Sequence, residues 1–291
     1  MSHTVRAYGK PAKTPSDLVA HIQRRGLAVT DVAACEAALS FVGYYRLLIY
    51  MRPLQLLPSK AFKGGTSFDD VLALYNFDRE LRLLCLDAVE KVEVALRAAI
   101  INTLAVAHGP HFHCESVHYQ DYEAFSGFLR IAADAKYLAI HHYKQRYNSP
   151  PIAPIWAISE AITYGVLSRL YSGLHLDNRK LVAKQFGYDE AILVSWFRSL
   201  NVLRNMCAHH NRLWNATIEV DKPRIAKALK TEFTNTNTFH ARAIVLVALL
   251  AVIDPTSDWK HRLKALTARY PVVSSSAMGF PSGWQGRAFW S

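Results

Sequence analysis

The chain lacks the marks of several common protein classes. Its four cysteines, Cys35, Cys85, Cys114 and Cys207, stand far apart with no C-x-x-C pair. Structural zinc and a disulfide framework are therefore not expected. The longest apolar run, residues 243–253, is too short to span a bilayer and reads as a buried helix. Residues 1–15 are polar, so no secretory signal peptide is expected. There is no Gly-rich phosphate loop and no G-x-S-x-G, which removes support for nucleotide hydrolysis and for a serine hydrolase. No Asn-Gly or Asp-Gly joins two alternating runs, so β-hairpins have no signal. Repeats, low-complexity tracts and a basic tail are missing too. A soluble, reducing, cytoplasmic setting is expected, with no membrane association, no metal and no other cofactor.

What is present is a helical pattern with a basic balance. The 291 residues are 51% hydrophobic, enough for a substantial core in one large domain or two small ones. A formal net charge of +11 favours polyanionic partners such as nucleic acid or an anionic surface. Thr14-Pro15-Ser16-Asp17 reads as an N-cap with proline in the first turn, and Gly26 as the stop. A second helix is expected over residues 30–40. Pro58 to Gly65 reads as a loop, and Ser67-Phe68-Asp69-Asp70 opens a long helical period running to residue 107. Further helices are expected over 119–147, 154–172, 178–186, 189–215, 240–253 and 257–268. The fold class is all-α, a multi-helix bundle. A helical subregion over 1–65 precedes the main domain at 66–272. An irregular tail at 273–291 docks through Phe280, Trp284, Phe289 and Trp290.

The richest segment is Leu203-Arg204-Asn205-Met206-Cys207-Ala208-His209-His210-Asn211-Arg212-Leu213-Trp214. A guanidinium, an amide and an imidazole at this spacing can bind a phosphate, orient it and move a proton without a metal. On one helix, Asn201, Asn205, His209 and Arg212 share a stripe, while Trp196, Leu200, Leu203 and Cys207 form a core stripe. A solvated face would more often carry Glu and Lys, so the polar stripe is expected to face a cleft or a partner subunit. Arg204, Asn205, His209 and His210 are the candidate catalytic residues; Asn201 and Arg212 are candidate substrate contacts. The bare Arg–His spacing is weak, because thirteen histidines make chance matches common, and Arg169 with His175 is one.

Three other clusters have plain structural readings beside chemical ones. Glu90, Glu93 and Arg97 lie on neighbouring turns, and the i, i+4 pair Glu93–Arg97 is expected to be an ion pair rather than acid–base machinery. His108, His111, His113, Cys114 and His118 fit no zinc spacing and read as a turn rich in exposed histidines. Tyr44, Tyr45 and Arg46 can stack on bases and touch phosphate, though such aromatics are more often core.

The order of several segments resembles the Abi-like proteins (the AbiD/AbiF type) of bacterial abortive-infection systems. The matching pieces are Phe41-Val42-Gly43-Tyr44-Tyr45-Arg46, Leu74-Tyr75-Asn76-Phe77-Asp78-Arg79-Glu80-Leu81-Arg82, and Ala88-Val89-Glu90-Lys91-Val92-Glu93-Val94-Ala95-Leu96-Arg97. They continue with Tyr164-Gly165-Val166-Leu167-Ser168-Arg169-Leu170-Tyr171, Ser199-Leu200-Asn201-Val202-Leu203-Arg204-Asn205, Cys207-Ala208-His209-His210-Asn211-Arg212-Leu213-Trp214-Asn215 and Met278-Gly279-Phe280-Pro281. Gly43 stands where a more polar residue is expected. The resemblance implies a HEPN-like all-α fold and a metal-independent endoribonuclease in which Arg204, Asn205 and His209 or His210 cut RNA. It also implies a phage-defence or toxin–antitoxin setting, RNA as substrate, an RNA or protein antitoxin as partner, and a homodimer that joins two motifs. The rival readings are a non-catalytic RNA-binding protein and a structural dimer whose polar stripe is an interface network.

Overall fold

The computed structural model describes residue 9 and residues 11–291, so the polar opening stretch falls largely outside the described residues. Helix accounts for 64% of the chain, and no strand occurs among the described residues, which establishes the all-α class. The chain divides into two compact units, Met1–Arg79 with Tyr270–Val273, and Glu80–Arg269 with Ser274–Ser291.

In the first unit, α1 (Pro15–Gln23) opens with a reciprocal capping box: the Asp17 N–H donates to Thr14 Oγ1, and the Thr14 N–H donates back to the Asp17 carboxylate. Gly26, at φ +86°, ends the turn that follows. Helix α2 (Val32–Ala38) is capped by Asp31, which accepts from Ala34 N–H at 2.9 Å. A π turn (Leu39–Gly43) leads into α3 (Tyr44–Met51). Gly43 has φ +92° and ψ 142°, close to a region that only glycine occupies readily, which accounts for a glycine at this position. Tyr50 and Asp78 are both buried, and the tyrosine hydroxyl donates to the carboxylate at 2.7 Å. Among the described residues, Val32–Leu54 is the one helical stretch long and apolar enough, by length and composition, to cross a membrane. It is not one rod: it comprises α2, the π turn, α3 and a 3-10 turn, and it carries Arg46 and Arg52.

Helix α4 (Phe68–Ile100) starts at a second capping box, with Ser67 N–H donating to Asp70 Oδ2 at 2.8 Å and Asp70 N–H donating to Ser67 Oγ at 3.2 Å. It runs on through a π turn (Ile101–Ala105) into α5 (Val106–His108), and Gly109 at φ +93° stops it. The expected helical run to residue 107 is therefore present.

The second unit continues with α6 (Tyr122–Asp134), α7 (Leu138–Arg146), α8 (Ile155–Ser159), α9 (Tyr164–Gly173), α10 (Leu176–Ala183), α11 (Glu190–Ala208), α12 (Phe239–Ile253) and α13 (Trp259–Arg269). Helix α9 packs on α6 and α11, and α11 also meets α10 and α12. At Gly173 a Cβ would lie 2.5 Å from the Ala124 Cβ, so glycine permits the close approach of α9 to α6. Every residue from Phe239 to Leu250 is buried, the pattern of a helix surrounded on all sides. That includes Arg242, whose Nη1 donates to the carbonyls of Thr236 and Thr238 at 2.7 and 3.1 Å. Its Nη2 reaches the carbonyls of Ile218 and Val220 at 3.1 and 3.2 Å. The guanidinium thus fastens the loop after α11 to α12.

Three expected helices differ from those observed. The run at 119–147 breaks after Asp134, because Ala135 and Tyr137 are extended and the buried stripe Phe125, Phe128, Ala132 is not continued. The run at 154–172 is two helices, with Thr163 extended ahead of α9. The run at 189–215 ends at Ala208. The tail forms only short 3-10 turns, and Phe280, Trp284 and Trp290 are buried within the unit around His240, whose ring centroid lies 4.6 Å from that of Phe280.

Candidate functional site

Helix α11 buries Trp196, Leu200, Leu203 and Cys207, the expected core stripe. The polar residues emerge on its other side and at its end. Asn201 is half-buried against α9, where Gly165 makes room for it: a Cβ there would lie 3.0 Å from Asn201 Oδ1. Arg204 is half-buried, and Asn205 and His209 are exposed. Arg204 Nη1 donates to Asn205 Oδ1 over a long 3.4 Å. Asn205 and His209 are one turn apart, and the His209 N–H donates to the Asn205 carbonyl at 2.9 Å. Arg204 is rotated from Asn205 by about 100° around the axis.

The helix stops through backbone handedness. His210 has φ +59°, its N–H donates to the Cys207 carbonyl at 3.1 Å, and the Asn211 N–H donates to the Met206 carbonyl at 2.7 Å. This pair of bonds is a Schellman motif, with His210 in the left-handed position that glycine usually takes. Histidine is among the residues enriched there, which is why no glycine marks the stop. Beyond it, Leu213 and Trp214 are buried, and the Trp214 indole donates to the Ser274 carbonyl at 3.3 Å. Arg212 Nη2 donates to the Asn215 carbonyl at 2.9 Å. The expected four-residue stripe is thus corrected: Asn201, Asn205 and His209 follow the helix, whereas Arg212 lies in the loop past the turn. None of the cavities of 1120, 390 and 360 Å³ is lined by these candidates.

Chemically, the end of α11 presents one guanidinium and one amide in consecutive positions, with an imidazole one turn on and a second imidazole next to it. A helix C-terminus carries partial negative charge and does not attract a phosphate by itself. An anion there has to be held by side-chain cations, and a guanidinium fork is suited to a phosphate.

The other clusters resolve clearly. Arg97 Nη2 donates to Glu93 Oε1 at 2.9 Å, the expected ion pair, and Glu90 is exposed. The expectation of an exposed histidine set is corrected: His108 is exposed, His111, Cys114 and His118 are half-buried, and His113 is fully buried, which pushes its pKa down to about 4. His108 is paired with Asn178 Oδ1 at 2.7 Å and stacks near His118, with centroids 4.3 Å apart. Among the described residues, no group of three or more His, Cys, Asp or Glu is placed to hold a metal ion. Tyr44 is half-buried, while Tyr45 is 76% exposed. Sequence reasoning misses the Arg242 clamp and the Gly165 seat under Asn201; a lone arginine in an apolar helix is the available signal for the first.

The sequence profile of one family, described as Abi-like protein, matches residues 37–215, from within α2 through the loop that follows the His210 turn. The chain belongs to the Abi-like family. Membership associates it with abortive infection, a phage-defence response. No curated protein and no solved structure matches the chain. The Abi-like match covers α9, α11 and the whole candidate segment, and it ends at Asn215, itself at φ +52°.

Proposed function

We propose that this Abi-like protein is a metal-independent endoribonuclease of the HEPN type, acting on RNA in phage defence or a toxin–antitoxin pair. The observation that carries the reading is the exposure, on the last turn of α11, of Asn205 and His209 beside the half-buried Arg204. In this reaction the substrate's own 2′-hydroxyl oxygen attacks the adjacent phosphorus, and the bond from phosphorus to the 5′-oxygen breaks. One general base takes the hydroxyl proton and one general acid supplies the proton to the leaving 5′-oxygen. The products are a 2′,3′-cyclic phosphate and a 5′-hydroxyl. Arg204 holds the phosphate and offsets the charge that builds on its oxygens. His209 is the proton-transfer group, because an imidazole ring can both accept and donate a proton. Asn205 steadies the guanidinium. His210 is the alternative imidazole, and Asn201 and Arg212 are flanking contacts.

A homodimer that brings two such turns together supplies a second acid–base group. The exposure of Asn205 and His209 leaves that turn open to a second copy. An RNA or protein antitoxin that covers the turn would restrain the enzyme.

The test is incubation of a mixed cellular RNA pool with the purified protein and with His209→Ala, in EDTA. Cyclic-phosphate fragments from the wild type, reduced about 10²- to 10⁴-fold in His209→Ala, are expected. RNA retained without cleavage by either protein would replace this reading with non-catalytic RNA binding.

A further inference from the structure

A cavity of about 1120 Å³ lies wholly in the first unit and is lined by none of the α11 candidates. Its walls come from the segment before α1, α1 and the turn after it, α3, and the chain that follows α3. Four permanent cations line it, Lys13, Arg25, Arg52 and Lys60, and no carboxylate does. Among the described residues none of the four makes an ion pair. Tyr44 and Tyr45 line it too, with rings in edge contact at 5.9 Å, and the His21 ring adds a third member 6.3 Å from Tyr44. Arg25 and Arg52 both lie near enough to the Tyr44 hydroxyl to oppose the rise in its pKa that burial causes.

A row of aromatic rings flanked by unneutralised cations is the arrangement that binds single-stranded nucleic acid: rings stack on bases, and cations follow the phosphates. At about 1120 Å³ the recess stands at the upper end of the roughly 300–1,000 Å³ of small-ligand pockets. The recess is concave, which suits a strand and not a bilayer surface. An acidic peptide would use the cations but leave exposed Tyr45 without a flat partner. We propose that this groove binds single-stranded RNA, with Tyr45 as a base-stacking platform and Arg25 and Arg52 as phosphate contacts. The choice of RNA over DNA rests on the proposed function, whereas the groove itself does not require the α11 turn to cleave.

The experiment measures anisotropy of a fluorescein-labelled single-stranded oligouridine with the full chain carrying His209→Ala, so that the probe survives. In that background Tyr45→Ala is expected to weaken binding roughly tenfold, within the range for loss of one stacked base. The pair Arg25→Gln with Arg52→Gln is expected to lower the log–log salt slope by about 1.4, at ~0.7 for each single-strand phosphate that is no longer neutralised. Thermal unfolding checks that these exposed-side substitutions leave the fold intact. Unchanged affinity in folded Tyr45→Ala would overturn the proposal. So would equally tight binding of the corresponding duplex. Tighter binding of polyglutamate or of phosphatidylserine vesicles, abolished in the same variants, would overturn it in favour of an acidic peptide or a membrane. Cleavage of the RNA pool is scored separately: its absence removes the nuclease reading and leaves the groove result standing.

Discussion

Replacing Arg242 with methionine removes a buried cation and leaves four carbonyls without this donor. Hydrogen bonds to a charged group contribute about 1.5–3 kcal/mol each, so the gross loss is about 6 kcal/mol at the lower value. The folded state also gains something, because it no longer holds a charge out of water. Burial lowers the guanidinium pKa from 12.5 to about 10. At 1.36 kcal/mol per pH unit, that is a cost of about 3 kcal/mol which methionine escapes. The balance is a destabilisation of about 3 kcal/mol, the lower end of what breaking a buried charged network costs. For a unit of this size it lowers the Tm by about 6–12 °C. Thermal unfolding followed by circular dichroism at fixed pH and salt measures it, with Arg242→Lys as an intermediate that keeps the charge but not the fork. An Arg242→Met protein melting within about 2 °C of wild type would refute the reasoning, since the bonds would then do no more than offset the desolvation.

Gly173→Ala is expected to cost about 1–3 kcal/mol in urea unfolding, because its Cβ would sit 2.5 Å from the Ala124 Cβ. Gly43→Ala is expected to cost a similar ~1–3 kcal/mol for a different reason, the φ of +92° with open space around the missing Cβ. Burial lowers the pKa of both His113 and His240 from 6.5 to about 4. The unfolded chain takes up these protons first as pH falls. Their contribution is therefore whole above about pH 6.5 and is lost between there and pH 4, at up to about 3 kcal/mol each. The Tm should fall over that window, and His240→Phe should flatten the decline; an unchanged slope would remove His240 from the account. Arg204→Gln is expected to reduce RNA cleavage about 10²- to 10³-fold while His209→Ala keeps RNA binding. Equal loss of binding in both would point to a phosphate grip alone.

Much of the fold is legible in the sequence because its signals are local. Thr14 with Asp17, and Ser67 with Asp70, announce helix starts through bonds between residues three apart. Gly26 and Gly109 announce stops. The core stripe of α11 follows from spacing alone. The end of that helix is hidden because His210, and no glycine, adopts the left-handed conformation. Spacing alone therefore puts Arg212 on a helix face that it does not share. His111, Glu115 and His118 stand close to His113 in the chain and suggest exposure, whereas its burial comes from packing with residues such as Phe128, whose ring centroid is 6.0 Å away. Lys13, Arg25, Arg52 and Lys60 carry no joint signal, since chain folding alone collects them around one groove.

The left-handed turn at His210 has a consequence for how the arginine and histidine are spaced. His209 is the last residue before the chain changes hand, and buried Leu213 and Trp214 tether the turn just beyond it. The end of α11 therefore acts as a ruler, with the interval from Arg204 counted back from the turn. One residue inserted between them would swing the arginine about 100° around the helix while the histidine stayed where the turn puts it. A working variant with a longer interval would have to carry the turn and its two anchors along with it.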